Sequence, residues 1–389
     1  MTAPARHISI VGGGIIGVSS LYYLSRALSR LPAGSTLNLY EAGQDVAPAA
    51  SGKSGGFLAL DWHGTATADL AELSFRLHKE LADEFSGREK WGYREVETLS
   101  VKFDSNRSRS KGPASLDWVD GKHVSSSSTM GGNGTTAQVT PRPLVRHLAS
   151  EALKVSGVSI HKATRVVAAE LDAASGRVKQ IKVRNAHGSE EDVESTDLII
   201  AAGPWTGALA SSLFSNSEAG LPSLLRKAKK IGGSRAHSVV IQGSRPTTAH
   251  CLFTDMRYGN KAAAPEVYAR EDGTVYICGG SDEVILPENE SDIVPDLKAT
   301  AKLIEQAAVL SPDVLNVDKG AKVKAEQACY LPISEGTGSP VITGDAKSGI
   351  YIAAGHSCWG ITLGVGTGKV VQELVTDGKV SSADIRMLQ

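Results

Sequence analysis

The first forty residues constrain the fold of this chain most. An apolar run, His7-Ile8-Ser9-Ile10-Val11, leads into Gly12-Gly13-Gly14-Ile15-Ile16-Gly17, and a helical pattern continues to about Leu28. Pro32, Ala33 and Gly34 break that helix, and a second apolar run, Thr36-Leu37-Asn38-Leu39-Tyr40, ends in Glu41. Strand, G-x-G-x-x-G, helix, strand and acid in this order are what a dinucleotide-binding βαβ unit requires. Gly12 permits the tight turn, Gly14 lets backbone N–H groups approach a pyrophosphate, and Gly17 lets the helix pack on the strand. The helix N-terminus supplies partial positive charge for the phosphates. Glu41, 24 residues after Gly17, is placed to accept hydrogen bonds from an adenosine ribose and to repel a 2′-phosphate. This unit alone does not separate NAD from FAD, because both present the same ADP half.

Two later stretches favour the longer cofactor. Ala50-Ser51-Gly52-Lys53-Ser54-Gly55-Gly56-Phe57 follows the second strand, and its small residues let backbone lie close against a bulky ligand. Read without a ligand, it is a flexible surface loop. More than 300 residues after the first turn, the strand-like Gly349-Ile350-Tyr351-Ile352-Ala353-Ala354-Gly355 runs into the glycine-rich His356–Gly368, with a helical pattern from Lys369 to Val375. One cofactor long enough to touch both strand-to-helix passages accounts for the pair.

Composition limits the remaining choices. With 389 residues and a formal net charge of −1, the chain can bury a large core and is no generally basic nucleic-acid binder. No apolar run approaches the ~18–20 residues of a membrane helix. Only six residues precede the first strand, too few for a targeting peptide. Cys251, Cys278, Cys329 and Cys358 show no C-x-x-C spacing, so neither a metal site nor a disulfide framework is expected, and a cytoplasmic compartment is. The basic run Ser105–Lys111 reads as a solvated loop.

Together, the G-x-G-x-x-G unit, the Ala50–Phe57 loop, the mid-chain Ile199-Ile200-Ala201-Ala202-Gly203-Pro204-Trp205-Thr206 and the closing Ala353–Leu374 resemble the D-amino-acid oxidase-like superfamily of FAD-dependent oxidoreductases, within it a fungal branch. Glycine oxidase, sarcosine oxidase and the fructosyl-amino-acid oxidases belong to that superfamily. The resemblance implies an α/β fold: a discontinuous Rossmann-like FAD-binding domain (1–90, 138–222, 322–389) and a mainly antiparallel substrate domain (91–137, 223–321). It implies that Gly12, Gly14, Ile15, Ile16 and Gly17 form the pyrophosphate turn, with Glu41 and Ala42 at the ribose. Ser51, Gly52, Lys53, Ser54 and Gly55 would run along the pyrophosphate toward the flavin. Val166 would meet the adenine, and Ala202, Gly203 and Trp205 a further strand end. Gly355, His356, Trp359, Gly360, Ile361 and Thr362 would face the flavin pyrimidine edge. Cys329 stands where some relatives link covalently to FAD; the other reading is a buried core thiol.

The reaction the resemblance implies is oxidation of an amine or amino acid, with hydride passing to flavin N5 and oxygen as acceptor. In Glu266-Val267-Tyr268-Ala269-Arg270-Glu271-Asp272-Gly273, Arg270 resembles a carboxylate-binding arginine, against the more ordinary reading of a surface arginine beside Glu271 and Asp272. Tyr268 and His63 are the other catalytic candidates. The chain departs from sarcosine oxidase in having no lysine in Gly273–Cys278, which leaves a dehydrogenase using another acceptor as an alternative; a flavin-binding scaffold with little turnover is a separate one. A monomer without nucleic-acid partners is expected. Leu70–Phe85 and Pro141–Lys154 read as helices, and the serines 125–128 and Met130–Gly134 as a mobile loop over the site. Ser215–Gly220 reads as a loop, and an Ala-rich helix is expected near Asp296–Leu310.

Overall fold

The computed structural model describes residues 4–108, 112–215 and 222–389. Asn216–Gly220 of one expected loop, and Arg109, Ser110 and Lys111 of the basic run, lie outside the described residues.

Strand His7–Val11 is almost fully buried and occupies the middle of a six-stranded sheet. It pairs in parallel with Thr36–Tyr40 on one side and Asp197–Ile200 on the other. Val158–His161 extends the first flank; Ile350–Ala354 and the antiparallel Val341–Asp345 extend the second. Strands covered on both faces read as near-continuous apolar runs, which is why they were legible. One face carries helices Ile15–Arg26, Ala68–Phe85, Pro141–Ala152 and Gly360–Asp377; the other is covered by the antiparallel meander Thr164–Leu171, Val178–Asn185, Glu190–Glu194.

The turn after the first strand is built as expected. Gly12 has φ +108°, and a Cβ on Gly17 would stand 1.9 Å from the Gly12 carbonyl oxygen. No side chain larger than hydrogen fits there.

The closing helix starts earlier than its pattern predicts, at Gly360 rather than Lys369. Its glycines are interior helix residues, each costing about 1 kcal/mol relative to Ala. Close packing compensates: Cβ atoms on Gly364 and Gly368 would lie 2.7 Å from Ile15 and 2.4 Å from Ser19 on the first helix.

An eight-stranded, mainly antiparallel sheet forms the second layer, ordered Lys322–Ser334, Ile231–Gln242, Thr274–Asp282, Glu266–Ala269, His250–Tyr258, Glu97–Asp104, Val124–Thr129, with Lys261–Ala263 on His250–Tyr258. Its alternation is clean. Leu252, Val267 and Ile277 face a core under helix Leu297–Leu310, whereas Cys251, Tyr268 and Tyr276 face the other way. Two expectations change here. The serines 125–128 lie in a strand against Glu97–Asp104 rather than in a loop. Lys322–Ser334, placed by sequence with the cofactor domain, pairs along its length with Ile231–Gln242 as an edge of this second sheet. Among the described residues no helix is long and apolar enough to cross a membrane.

Candidate functional site

Between the parallel sheet and the eight-stranded sheet lies a cavity of ≈ 580 Å³. The ends of strands His7–Val11, Asp197–Ile200 and Ile350–Ala354 open onto it, as ligand sites do at the carboxyl ends of open α/β sheets.

At one end, Glu41 is buried and both its oxygens are engaged: Gly13 N–H donates to Oε2 at 2.6 Å and Gly43 N–H to Oε1 at 2.7 Å. Burial raises its pKa, opposed by these two amides. Ala42, Thr164, Arg165, Val166, Glu288 and Glu290 line the same end. Arg165 donates to Asn289 Oδ1 at 2.6 Å.

Along the middle, Gly12, Gly14, Ile15 and Ile16 form one wall, Ser51, Ser54 and Gly55 another, and Ala202, Gly203 and Trp205 a third. Ser51 Oγ accepts from Ile15 N–H at 2.9 Å, taking one of the free amides at that helix start. Helix Ile15–Arg26 has no side-chain cap and no acid in its first turn, and the same holds for Gly360–Asp377. Trp359, Gly360 and Ile361 bring this second N-terminus to the same cavity. Both helix starts open on one space: the first already meets Ser51 Oγ at Ile15 N–H and the Glu41 carboxylate at Gly13 N–H, whereas the Gly360 start has no side-chain cap and no acid to offset its partial positive charge.

His356 is also on the wall and fully buried. Thr367 Oγ–H donates to Leu363 O at 2.9 Å, so its oxygen accepts from His356 Nε2–H at 3.0 Å. That fixes the tautomer and leaves Nδ1 as a bare acceptor, with no partner among the described residues. Burial depresses its pKa to about 3, so the ring stays neutral near pH 7 and acts as an acceptor. Ser54 Oγ is a second buried polar atom without a partner on this wall.

The far end is aromatic. Trp62 lies 5.2 Å from Phe57 and 5.0 Å from Phe253, ring centre to ring centre, and Phe57 stacks on Tyr268 at 5.6 Å. Trp359 meets Trp62 edge-on at 6.4 Å. Register places Glu266 between Phe253 and Cys278, and Tyr268 between Cys251 and Tyr276. The Tyr268 hydroxyl and the Cys278 thiol both donate to Glu266 Oε2. Burial first, then the Glu266 charge, pushes the Tyr268 hydroxyl well above its ordinary range, so it is a donor rather than a base.

Several expected residues stand off this wall. Gly17 is consumed by packing on Gly12, and a Gly52 Cβ would meet the Ala47 carbonyl at 2.0 Å. The Lys53 carbonyl accepts from Gln327 at 2.8 Å, and Thr362 Oγ donates to the Phe57 carbonyl at 3.0 Å. Gly355 packs against Ser334 behind His356. Of the catalytic candidates only Tyr268 lines the cavity. His63 bonds the Ala59 carbonyl at 3.1 Å and leans on Trp359, leaving its neighbour Trp62 to face the space. Arg270 sits behind Tyr276, 5.3 Å from the ring centre, and donates to the Ser54 carbonyl at 3.0 Å. It is buried behind the lining residues, and its Nε has no partner among the described residues. Cys329 does line the cavity, and burial pushes its thiol up to about 11. The Met130–Gly134 turn approaches Trp62 and is pinned by Gly132 N–H on Asp61 Oδ2 at 3.0 Å.

Sequence reasoning passed over Glu266, Phe253 and Cys278 as site residues. The one available signal was the period-two alternation of Glu266-Val267-Tyr268 and Tyr276-Ile277-Cys278.

The family model described as FAD dependent oxidoreductase, DAO, matches residues 7–374. A Schizosaccharomyces pombe protein named a putative oxidoreductase is 40 % identical over 395 residues, 99 % of this chain and 97 % of its own length. Among solved structures, glycine oxidase from Geobacillus kaustophilus has a TM-score of 0.74 at 19 % identity, covering 99 % of this chain and 98 % of that one. L-proline dehydrogenase from P. horikoshii has a TM-score of 0.73 at 16 % identity, covering 100 % and 97 %.

Proposed function

This chain belongs to the DAO family of FAD-dependent oxidoreductases, and on that premise we propose that it oxidises a C–N bond of a small-molecule amine or amino acid in the cavity between its two main sheets. We read the ADP half of FAD at the Glu41 end and the isoalloxazine at the aromatic end. The observation that supports this reading is the pair of helix starts opening on one cavity, with Ser54 Oγ and His356 Nδ1 unpartnered along it among the described residues. Each Glu41 oxygen keeps a lone pair for a ribose hydroxyl after serving Gly13 and Gly43. Gly12, Gly14, Ile15, Ile16, Ser51, Ser54, Gly55, Val166, Ala202, Gly203 and Trp205 are the proposed contacts along the ADP half and pyrophosphate. His356, Trp359, Gly360 and Ile361 are those at the flavin. Domain boundaries follow the sequence division, with Lys322–Ser334 reassigned to the substrate side.

Bound FAD supplies a two-electron acceptor that takes the substrate α-hydrogen as hydride at N5. The protein's own part is orientation and dryness. Phe57, Trp62, Phe253 and Trp359 exclude water, and Tyr268 holds Glu266 in place. The helix start at Gly360 favours negative charge accumulating beside it. The resulting imine hydrolyses in water. The four free cysteines support a reducing, cytoplasmic-type compartment.

Oxygen is the proposed acceptor. A second reading, a dehydrogenase passing electrons elsewhere, is favoured by one observation: no lysine lines the cavity among the described residues. Mixing the yellow holoprotein anaerobically with simple amines and with N-methyl, D- and glycated amino acids tests the main reading. Loss of visible flavin absorbance with at least one is expected, and no loss with any contradicts it. Peroxide on readmitting air separates the two acceptors.

A further inference from the structure

The aromatic end carries a charge that the amino-acid reading does not use. The charged side chains on the cavity wall, among the described residues, are Glu41, Arg165, Glu266, Glu288 and Glu290. The only cation among them, Arg165, is tied to Asn289 at the Glu41 end. Glu266 is thus the only charged group at the aromatic end. It is half-buried, ringed by Phe253, Phe57 and Tyr268, with Trp62 and Trp359 beyond. Tyr268 and Cys278 both bond its Oε2; Oε1 accepts nothing from any described residue.

A substrate carboxylate brought here meets like charge and no cation on this part of the wall among the described residues. Arg270 and Lys53 do not line the cavity themselves. Arg270 lies beneath Tyr276 with its guanidinium on the Ser54 carbonyl. A positive nitrogen, by contrast, finds an open carboxylate oxygen and several aromatic faces, the two features that recognise organic cations.

We propose that Glu266 and the surrounding aromatic rings recognise a cationic amine lacking a carboxylate, so that the substrate class is an alkyl- or arylalkyl-ammonium rather than an α-amino acid. The proposal deepens, and rests on, the reading of this cavity as an amine-oxidising site. Oε1 receives the ammonium N–H, and one ammonium proton leaves to water so that the neutral amine's lone pair forms the imine as hydride departs. The rings enclose the apolar arm, and the lack of a cation on this part of the wall among the described residues disfavours amino acids.

The test uses the yellow holoprotein and two probes that flavin cannot oxidise. Benzyltrimethylammonium is expected to perturb the flavin spectrum saturably, and benzoate, of similar size and opposite charge, is not. Glu266→Gln, which keeps the shape and removes the charge, should weaken this N–H-free cation about 10–100-fold through the lost Coulomb attraction. Tighter binding of benzoate than of the cation, in the unaltered protein, overturns the proposal whatever the variant does. Unchanged cation affinity in Glu266→Gln that retains its flavin overturns it as well. Anaerobic bleaching completes the test. N-methylbenzylamine should bleach the flavin faster than N-methylglycine; equal or reversed rates overturn the recognition proposal and leave amine oxidation standing. Glu266-dependent cation binding with no bleaching by any amine does the opposite: the recognition holds and the assigned reaction falls.

Discussion

Glu41 and Glu266 mark opposite ends of the cavity, and the two are built differently. Glu41 follows an interior parallel strand and is satisfied by backbone, the amides of Gly13 and Gly43. Glu266 begins a short antiparallel strand and is held by side chains, Tyr268 and Cys278. A backbone-built end depends on turn geometry that few residue types allow, so it leaves a readable pattern. A side-chain-built end depends on register between strands distant in sequence, so it leaves almost none. The first kind suits an invariant ligand such as an ADP moiety; the second suits a ligand that changes from one enzyme to the next.

The largest effect should come from breaking the backbone-built end. Gly17→Val sets a Cβ 1.9 Å from the Gly12 carbonyl oxygen, with no flexible group to yield. Colourless or insoluble protein is expected; a soluble, yellow variant of unchanged melting temperature would show that the turn tolerates what the geometry forbids.

Acid pH should act mainly through buried histidines near the second helix start. His78 Nε2 lies 2.9 Å from the Ile361 carbonyl, and since a carbonyl only accepts, Nε2 carries the proton and donates it. Burial depresses the His78 pKa to about 4 and that of His356 to about 3. In the unfolded chain both rings bind a proton near pH 6.5, whereas the folded rings remain neutral until about pH 4 or 3. Between those limits the unfolded state holds more protons, so stability falls as pH drops. For His78 the shift corresponds to roughly 3 kcal/mol at full extent. Urea midpoints at pH 7 and pH 4.5 should differ accordingly, and His78→Asn should flatten the slope; a pH-independent midpoint would contradict it.

A smaller effect is expected at Arg270. Arg270→Lys forfeits the bond to the Ser54 carbonyl, worth about 1 kcal/mol. Melting temperature should fall slightly while apparent substrate affinity stays within about threefold. A loss of affinity confined to carboxylate-bearing substrates would instead restore arginine to the role its sequence context suggests.

Cys329 offers the smallest expected change. Its buried thiol is pushed up to about 11, which disfavours the thiolate that attacks a flavin methyl. Acid precipitation should therefore leave the yellow colour in the supernatant, and Cys329→Ala should keep its flavin. Colour retained in the pellet would show a covalent link.

What the sequence made legible follows the same division. Strands Thr36–Tyr40 and His7–Val11 match their patterns residue for residue, because burial on both faces writes an apolar run. The Gly12–Gly17 turn was readable for its steric demands. The helix start at Gly360 was obscured by glycines whose purpose, contact with Ile15 and Ser19, lies on another helix. Strand Val124–Thr129 was obscured by serines on a half-exposed edge. Arg270 and His63 do not line the cavity for one reason: residue type suggests chemistry, but facing direction is decided by register and neighbours. His63 is one position away from Trp62, which does face the cavity.

The central claim is that one FAD lies along the whole cavity, from Glu41 to the aromatic cage. A crystal structure of the yellow holoprotein tests it most directly. The account predicts adenine beside Val166, pyrophosphate at the Gly12–Gly17 turn, and isoalloxazine between the Gly360 helix start and Tyr268. A flavin lying elsewhere, or a reversed molecule with its ring beside Glu41, would contradict it.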